Sequence, residues 1–276
     1  MADTDHPGSG LVAAEAAALP HGSAQQGSPS ARQALPAGCE CILLDVETQW
    51  DLFRRGGSCY RWPHSPKAAT NIRALFQWAG QNRIPVISSV LRVRRGELGP
   101  LADVPHCVEG SQGERKLART VLWERTNFGL RNSADLPANV FHRYHQVIFE
   151  KRHTDLFAHA GAERLITELS SCTFVVCGAG VAKGIAQAAI GLRARGFPVI
   201  LVRDATLVLR EELAEMAFLR MHAKDVTFLR TAEIVVSGPA VLGAAASGEN
   251  AYGEPGLPMP CELRPLVESG IDGISE

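Results

Sequence analysis

Short, fully apolar runs alternate along this chain with longer amphipathic stretches, and this alternation constrains the fold more than any other feature. Phe174–Cys177 (FVVC) and Val199–Val202 (VILV) contain no polar residue, which predicts strands that are buried on both faces. The stretch Ile72–Ala79 has its apolar residues at the i, i+3, i+4, i+7 spacing of a helix with one buried face. The pattern therefore predicts an α/β fold of three layers (α/β/α), in which helices cover both faces of a mostly parallel sheet.

The same reading gives a sheet of roughly six strands. The strands are predicted at Cys41–Val46, Pro85–Leu91, Gln146–Glu150, Thr173–Cys177, Pro198–Val202 and Glu233–Val236. Helices are predicted around Ile72–Ala79 and over Ala158–Leu169, Lys183–Arg195 and Arg210–Ala223. Ligands of such sheets bind beyond the carboxyl ends of the strands, so candidate site residues are expected there.

The two ends of the chain differ in composition from the middle. Residues 1–37 are mostly Ala, Gly, Ser, Pro and Gln, and they contain too few large apolar side chains to offset the entropy of ordering. We expect them to form a disordered, low-complexity tail. Residues 239–276 include the stretch GAAASGENAYGEPGLPMP, which is typical of a flexible extension. The folded domain is predicted to span residues 38–238.

Charge and cysteine content narrow the classes of partner. The 276 residues carry 28 Lys and Arg against 29 Asp and Glu, a balance that gives no long-range attraction to nucleic acid or to an anionic membrane. No apolar stretch approaches the roughly 20 residues that a bilayer span needs. The seven cysteines are an odd number, so they cannot form a closed disulfide framework and are interpreted as thiols. With no basic leader before an apolar segment, we expect a cytoplasmic protein.

Three of the predicted strands end at residues that could take part in catalysis. Asp45 ends the first strand, where a carboxylate is either a turn cap or a general acid/base in a cleft of low dielectric constant. Lys151 follows the third strand. Gly178–Gly180 follows the fourth strand and leads into a helix whose free N–H groups could hold an oxyanion. The three features are more informative together than separately.

These segments resemble the isochorismatase-like superfamily, which includes the nicotinamidase-type cysteine hydrolases. The resemblance covers residues 41–236 and rests on LLDVETQWDLF, PHCVEGSQGE, EKRHTDLF and VVCGAGVAKGIAQAAIGLRARGFPVILVRDA. It implies the three-layer fold, a small-molecule substrate and often a homo-oligomer. The residues after Asp45, VETQWD, depart from the family's shorter pattern, and we interpret the difference as a local insertion.

The resemblance also implies a catalytic set of Asp, Lys and Cys. Asp45 and Lys151 match the first two, and Phe157 stands at the family's aromatic position. The position of the nucleophilic Cys falls on Gly184, which has no side chain. Acyl-enzyme chemistry through a thiolate is therefore not expected. Cys177 would become the nucleophile only if this register were wrong by several residues, and we read it as a small buried hydrophobe.

An acid–base mechanism remains open without a thiol. True isochorismatases of the same superfamily also carry Gly at this position and protonate a vinyl ether. The backbone amides of the turn that contains Gly180, Val181 and Lys183 would then stabilise developing charge. We therefore expect a small-molecule hydrolase that acts on an amide, another C–N bond or a vinyl ether, with Asp45 as acid/base. The alternative is a catalytically inactive relative that serves as a binding module or an oligomeric scaffold.

Two further residues are weaker candidates for the substrate pocket. Arg92 belongs to a basic cluster after the second strand, which either recognises a substrate carboxylate or forms a solvated loop. His106 matches one histidine of the nicotinamidase metal site, but the residues after the second strand supply no further ligand. We expect neither a metal ion nor a cofactor.

Overall fold

The structure, a computed structural model, describes residues 33–246. The strands are β1 (Cys41–Val46), β2 (Val86–Leu91), β3 (Arg125–Asn127), β4 (Gln146–Lys151), β5 (Thr173–Ala179), β6 (Val199–Leu207) and β7 (Thr227–Leu229). The helices are α1 (Trp50–Phe53), α2 (His64–Gln81), α3 (Val140–Arg143), α4 (Ala160–Glu168), α5 (Ala186–Ala194), α6 (Glu211–His222) and α7 (Thr231–Ala246). A π-helical turn, Val181–Ile185, precedes α5.

The strands form one parallel sheet in the order β3-β4-β2-β1-β5-β6-β7. This confirms the predicted fold class, with seven strands instead of roughly six. Both additional strands, β3 and β7, lie at the edges of the sheet, have three residues each and contain no fully buried residue. β3 has the sequence RTN, with no apolar residue, and β7 has the sequence TFL, with two. Neither is as long as the runs of four to eight residues by which the hydrophobic pattern identifies a strand.

The predicted strand at Glu233–Val236 is wrong, because these residues belong to α7. Ile234 is fully buried, whereas Val236 is 86% exposed. A short apolar run fits a strand and a segment of helix equally well, and the length of the surrounding element decides between them.

Helices cover both faces of the sheet, as the three-layer prediction requires. Helices α3, α4, α5 and α6 pack on one face, together with alternate residues of β1 such as Leu44 and Val46. Helices α1, α2 and α7 pack on the other face, together with Cys41 and Leu43. Alternation along β1 therefore decides which layer each side chain enters.

The folded region is wider than predicted at both ends. Gln33 is buried, pairs with Leu169, and accepts a hydrogen bond from the N–H of Val140 at 2.9 Å. Helix α7 bends at Gly238 and continues to Ala246, and Leu242 on it is buried. The remainder of the two predicted tails, 1–32 and 247–276, lies outside the described residues. Within the described part of the chain, every helix is too short or too polar to cross a bilayer.

The order of the strands fixes where a ligand site is expected. The chain adds β2 on one side of β1 and later β5 on the other, so the direction of winding reverses at β1. In open α/β sheets, ligands bind at such a reversal, beyond the carboxyl ends of the strands. Residues that follow β1, β4 and β5 are therefore close to this position.

Candidate active site

Glu47 lies directly after β1 and is completely buried. Its backbone is left-handed, with φ at 56°, and its N–H donates to the carbonyl oxygen of Ser89 at 3.1 Å. A non-glycine residue in this region is uncommon and costs on the order of 1–3 kcal/mol, and such residues concentrate at functional sites. The left-handed turn interrupts the alternation of side chains along β1.

Lys151, the last residue of β4, pairs with Glu47. Its ammonium donates to Glu47 Oε1 at 2.5 Å, to the carbonyl oxygen of His153 at 2.9 Å and to that of Thr154 at 3.0 Å. These three acceptors match the three protons of an ammonium group. Lys151 therefore holds one oxygen of Glu47 in place, while the other, Oε2, has no hydrogen-bond partner in the described structure.

Glycines let β5 and the following turn approach the other two elements closely. Gly178 has φ at 129°, and a Cβ there would collide with the carbonyl oxygen of Val46. Gly180 has φ at 77°, and a Cβ there would lie 2.7 Å from the side chain of Leu101. Both positions therefore require glycine.

Gly184 lies in the π-helical turn and faces Glu47. A Cβ built on Gly184 would stand 3.1 Å from Glu47 Oε1 and 3.2 Å from Oε2. The Glu47 carboxylate therefore fills the space into which a side chain at position 184 would project. Of the predicted catalytic residues, the structure brings together Lys151 and Gly184, with Glu47 as their carboxylate.

Burial controls the electrostatics of this group. Burial raises the pKa of Glu47 above its ordinary value, and the charge and hydrogen bond of Lys151 act in the opposite direction. The buried thiol of Cys107 also has a raised pKa, first because of burial and then because of the negative charges of Glu47 and Asp51. The site thus favours a protonated carboxyl and a protonated thiol.

Asp45 lies elsewhere, so the expected pairing of Asp45 with Lys151 is wrong. Cys41, Leu43 and Asp45 are alternate residues of β1, so Asp45 points to the same face of the sheet as the other two, into the layer of α2. Val147, Phe149 and Lys151 are alternate residues of β4, and the side chains of the first two pack in the opposite layer. The two side chains therefore leave the sheet on opposite faces.

The carboxylate of Asp45 belongs to a separate buried network. Its Oδ2 accepts hydrogen bonds from Thr48 at 3.1 Å and from Ser88 at 2.9 Å, and it forms an ion pair with Lys116. The sequence prediction missed Glu47 because it attributed VETQWD to an insertion. If Glu47 is the family's carboxylate, the segment after it is two positions shorter and no insertion is needed.

The predicted pocket residue Arg92 makes internal ion pairs instead of facing a substrate. Its guanidinium binds both oxygens of Glu150, at 2.6 and 2.9 Å, and Glu114 Oε2 at 2.7 Å. These partners occupy the fork that would bind a substrate carboxylate. Arg92 therefore links β2, β4 and the segment around residue 114.

His106 is also held by its own loop. Its Nε2 accepts the N–H of Leu101 at 3.3 Å, and its Nδ1 lies 2.8 Å from the carbonyl oxygen of Val104. Burial lowers the pKa of His106, which favours the neutral ring. Among residues 33–246, no group of three or more His, Cys, Asp or Glu side chains is arranged to hold a metal ion. The residues present do not fit the metal site that the nicotinamidase resemblance implies.

The remaining predicted residues surround the turn without joining Glu47. Val181 is buried, whereas the Lys183 side chain is exposed and donates to the carbonyl oxygen of Pro100 at 2.6 Å. Phe157 packs beneath Arg195, whose guanidinium carbon lies 3.8 Å from the ring centroid. Phe157 and Lys183 both line a cavity of about 380 Å³ on the outer side of α5.

The segment that carries His106 and Cys107 covers the site. Leu101 is buried against Gly180, Lys183 binds the carbonyl oxygen of Pro100, and Asp103 forms an ion pair with Arg210. Glu47 and Gly184 are buried, Lys151 is only 4% exposed, and none of the three lines the cavities of about 720, 630, 380 and 10 Å³. The group is therefore closed to solvent in this conformation.

Comparison with known proteins gives one family and one fold. The model of the Isochorismatase domain matches residues 41–233. No curated protein matches the chain.

Solved structures of several hydrolases are similar in fold. The pyrazinamidase of Pyrococcus horikoshii, in complex with zinc, is 17% identical with a TM-score of 0.52 over 69% of this chain and 99% of its own. The nicotinamidase/pyrazinamidase of Bacillus subtilis is 15% identical with a TM-score of 0.53 over 69% and 100%. The N-carbamoylsarcosine amidase of Thermoplasma acidophilum is 14% identical with a TM-score of 0.50 over 71% and 98%. At these identities the similarity establishes the shared fold.

Proposed function

The chain belongs to the isochorismatase family, and on that premise we propose that it is a small-molecule hydrolase that works through acid–base chemistry of Glu47, without a covalent intermediate. One observation carries this proposal. Glu47 Oε2 is buried without a hydrogen-bond partner, while Lys151 holds Oε1 at 2.5 Å. An unpartnered buried oxygen costs about 1–3 kcal/mol, and a bound substrate or water would supply the missing partner.

The absence of a side chain at Gly184 supports a mechanism without a covalent intermediate. Without a nucleophile there, the attacking group is water. Burial raises the pKa of Glu47 above its ordinary value, which is the direction that a proton donor requires. This supports a vinyl ether as the bond that is broken, with an amide or another C–N bond as the less favoured choice.

The proposed reaction balances with water as the only co-reactant. Glu47 Oε2 donates its proton to the terminal carbon of the vinyl ether, and the electrons of the double bond form the new C–H bond. Water adds to the carbon that bears the ether oxygen and returns a proton to Glu47. The resulting hemiketal breaks into an alcohol and a carbonyl compound. Lys151 orients Glu47 throughout and stabilises the negative charge that develops on its carboxylate as the proton leaves. The N–H groups of Gly180 and Lys183, predicted to hold an oxyanion, already donate to the carbonyl oxygens of Leu207 and Gly180 at 3.1 and 3.0 Å, and the reaction forms no oxyanion on the substrate.

Substrate entry requires the covering segment to move. Leu101 and the Lys183 bond to Pro100 hold this segment over the turn. The Asp103 side chain is 84% exposed. Its ion pair with Arg210 therefore contributes little to holding the segment over the site. We propose that the segment opens to admit substrate and that its closure excludes bulk water.

A catalytically silent relative is the second candidate, and a different observation favours it. The Glu47 carboxylate fills the space beside Gly184, and every proton of Lys151 has an acceptor. Glu47 and Lys151 therefore satisfy most of their charge and hydrogen-bonding groups without a ligand, as a purely structural ion pair would. In this case the protein would serve as a binding module or an oligomeric scaffold. Assembly into a homo-oligomer and a cytoplasmic location both remain predictions.

Two variants and one control distinguish the candidates. Purified protein is incubated with a panel of enol ethers, amides, ureas and carbamates, and turnover is measured for the wild type, Glu47→Gln and Lys151→Met. Glu163→Gln is the control, because Glu163 lies on α4 and pairs with Arg195. The proposal expects loss of about 10²–10⁴-fold in turnover for Glu47→Gln and little change for Glu163→Gln. Equal turnover by the wild type and Glu47→Gln would overturn it, and saturable binding without turnover would favour the silent relative.

A further inference from the structure

A cavity of about 630 Å³ lies on the outer side of α2, away from Glu47. Its walls come from α1, from α2 and from the segment 112–119. The face of α2 that lines it carries Pro66, Ala69, Thr70 and Arg73, at the i, i+3, i+4, i+7 spacing of one helix face. The first three side chains are short, and this leaves the space open.

Four arginines converge on this cavity from separate parts of the chain. They are Arg54, Arg73, Arg115 and Arg119, and all four are exposed. None of them forms an ion pair with a carboxylate of the described part of the chain. No Asp or Glu lines the cavity. The protein as a whole has a net charge of -1, so this concentration of positive charge is local.

A fifth cation closes the inner end of the cavity. The Lys116 side chain is only 7% exposed, and its ammonium donates to Thr48 Oγ1 at 2.6 Å and to Asp45 Oδ2. The same ammonium lies 5.8 Å from the ring centroid of Phe76, so its contacts are mainly internal. Asp45 already balances the charge of Lys116, whereas the four arginines have no such counter-charge.

Aromatic side chains form the opposite wall. Trp50 and Phe53 both line the cavity, and Phe53 is buried while Trp50 is half-buried. Small-molecule sites commonly combine an apolar wall with a few convergent polar groups, in volumes of about 300–1,000 Å³. The cavity has a volume in this range and combines an apolar wall with convergent polar groups.

We propose that this cavity binds a small phosphate-bearing anion with an apolar or planar portion. Guanidinium groups bind phosphate through two parallel hydrogen bonds, and the four arginines offer several such forks around one space. The apolar portion packs against Trp50 and Phe53. The backbone of this wall is joined to the residues after Glu47, because the N–H of Trp50 donates to the carbonyl oxygen of Arg115 at 2.8 Å. The site is independent of the chemistry proposed for Glu47.

Calorimetric titration of the full chain with inorganic pyrophosphate at low salt tests the proposal. Arg54→Ala/Arg73→Ala removes two lining guanidinium groups. Arg55→Ala/Arg131→Ala is the matched control, because both residues are exposed, lie outside the cavity and remove the same charge. We expect saturable binding that weakens by about tenfold or more in the first variant and by less than about twofold in the control. Circular dichroism of each variant verifies folding.

Three outcomes would overturn the proposal. The first is an absence of saturable pyrophosphate binding by the wild type. The second is equal weakening by the two double variants, which would indicate attraction by general charge. The third is that a short single-stranded RNA binds more tightly than pyrophosphate and depends on the same arginines, because this would assign the surface to a nucleic acid.

Discussion

The carboxylate of Glu47 lies against the α carbon of Gly184, so that a Cβ on Gly184 would stand 3.1 and 3.2 Å from its two oxygens. These separations are shorter than ordinary van der Waals contact, so the carboxylate would have to shift by a few tenths of an ångström. The long side chain of Glu47 fills the space that Gly184, which has no side chain, leaves beside it. The two residues therefore compensate each other in volume.

This compensation predicts how a thiol at position 184 would be tolerated. Gly184→Cys alone should destabilise the protein by about 1–3 kcal/mol, because it overpacks the space beside Glu47. Combining it with Glu47→Asp shortens the carboxylate and should recover part of the loss. Urea unfolding of the two single variants and the double variant measures the coupling between the positions.

Gly80→Cys is a suitable control for this cycle. Gly80 is exposed near the end of α2, and nothing lies within 4 Å of a Cβ placed there. It should be neutral or slightly stabilising. Additive effects at positions 47 and 184, within about 0.5 kcal/mol, would contradict the volume argument. In the double variant, alkylation that titrates at or above about pH 8.5 would show that the site does not support a thiolate.

The hydrophobic pattern predicted the sheet better than the site, and the reason is physical. Runs such as FVVC bury both faces of a strand, so they identify a strand without showing which layer each side chain enters. Asp45 and Glu47 both follow the apolar part of β1, and their roles depend on the left-handed backbone of Glu47, with φ at 56°. No local pattern predicts that conformation for a glutamate. Lys151 and Gly184 both lie beside Glu47, and their catalytic roles remain predictions.

The sequence did not predict the four arginines that line the cavity on the outer side of α2, and the reason is different. Arg54 directly follows α1, Arg73 lies on α2, and Arg115 and Arg119 belong to the segment 112–119. These three parts of the chain are separated in sequence. Each is an ordinary exposed arginine when it is considered alone. Only the packing of the three segments brings the charges together.

The raised pKa of Glu47 predicts the pH dependence of stability. Burial raises this pKa above the ordinary 4.5, and Lys151 acts in the opposite direction. Between the ordinary pKa of the unfolded chain and the raised pKa of the folded protein, the native state binds more protons than the unfolded state. The free energy of unfolding therefore falls as pH rises through this range. Relative to Glu47→Gln, the wild type should therefore lose stability as pH increases above about 4.5. Urea unfolding at a series of pH values measures the difference.

Glu150 provides a control of opposite sign. Burial raises its pKa, but hydrogen bonds from Arg92 and Asn127 and the charge of Arg92 outweigh that effect, so the pKa is lowered. The wild type should gain stability relative to Glu150→Gln as pH rises from below this pKa to about 4.5. The same direction of change for both glutamates would contradict the environment assigned to Glu47.

Thiol reactivity should be confined to the accessible cysteines. Burial raises the pKa of Cys41 and Cys172 to about 12 and that of Cys59 to about 11, and the pKa values of Cys107 and Cys177 are well above the ordinary value. Because alkylation requires the thiolate, iodoacetamide should label these five only as fast as the protein unfolds. Among the described cysteines, the half-buried Cys39 should react first. Mass spectrometry of each cysteine gives the rates. Fast stoichiometric labelling of Cys177 in the native protein, with a matching loss of turnover, would show that this thiol is the nucleophile.

The Asp45–Lys116 ion pair should stabilise the fold without taking part in acid–base chemistry. Asp45 is fully buried and the Lys116 side chain is 7% exposed, so removal of either partner leaves a buried charge without compensation. Asp45→Leu and Lys116→Met should each cost about 3–5 kcal/mol. The double variant leaves no such charge, and its loss should be well below the sum of the two.

Asp45→Asn separates this structural role from a catalytic one. The amide keeps the shape of the carboxylate and can still accept hydrogen bonds from Thr48 and Ser88, so the protein should fold with reduced stability. Turnover per folded molecule should match that of the wild type, whereas Glu47→Gln should lower it by about 10²–10⁴-fold with nearly unchanged shape. Activity and urea unfolding, measured on the same preparations, distinguish the two effects. If Asp45→Asn lost turnover at full stability while Glu47→Gln retained it, the acid/base would be Asp45, and the sheet face that it occupies would be the reactive one.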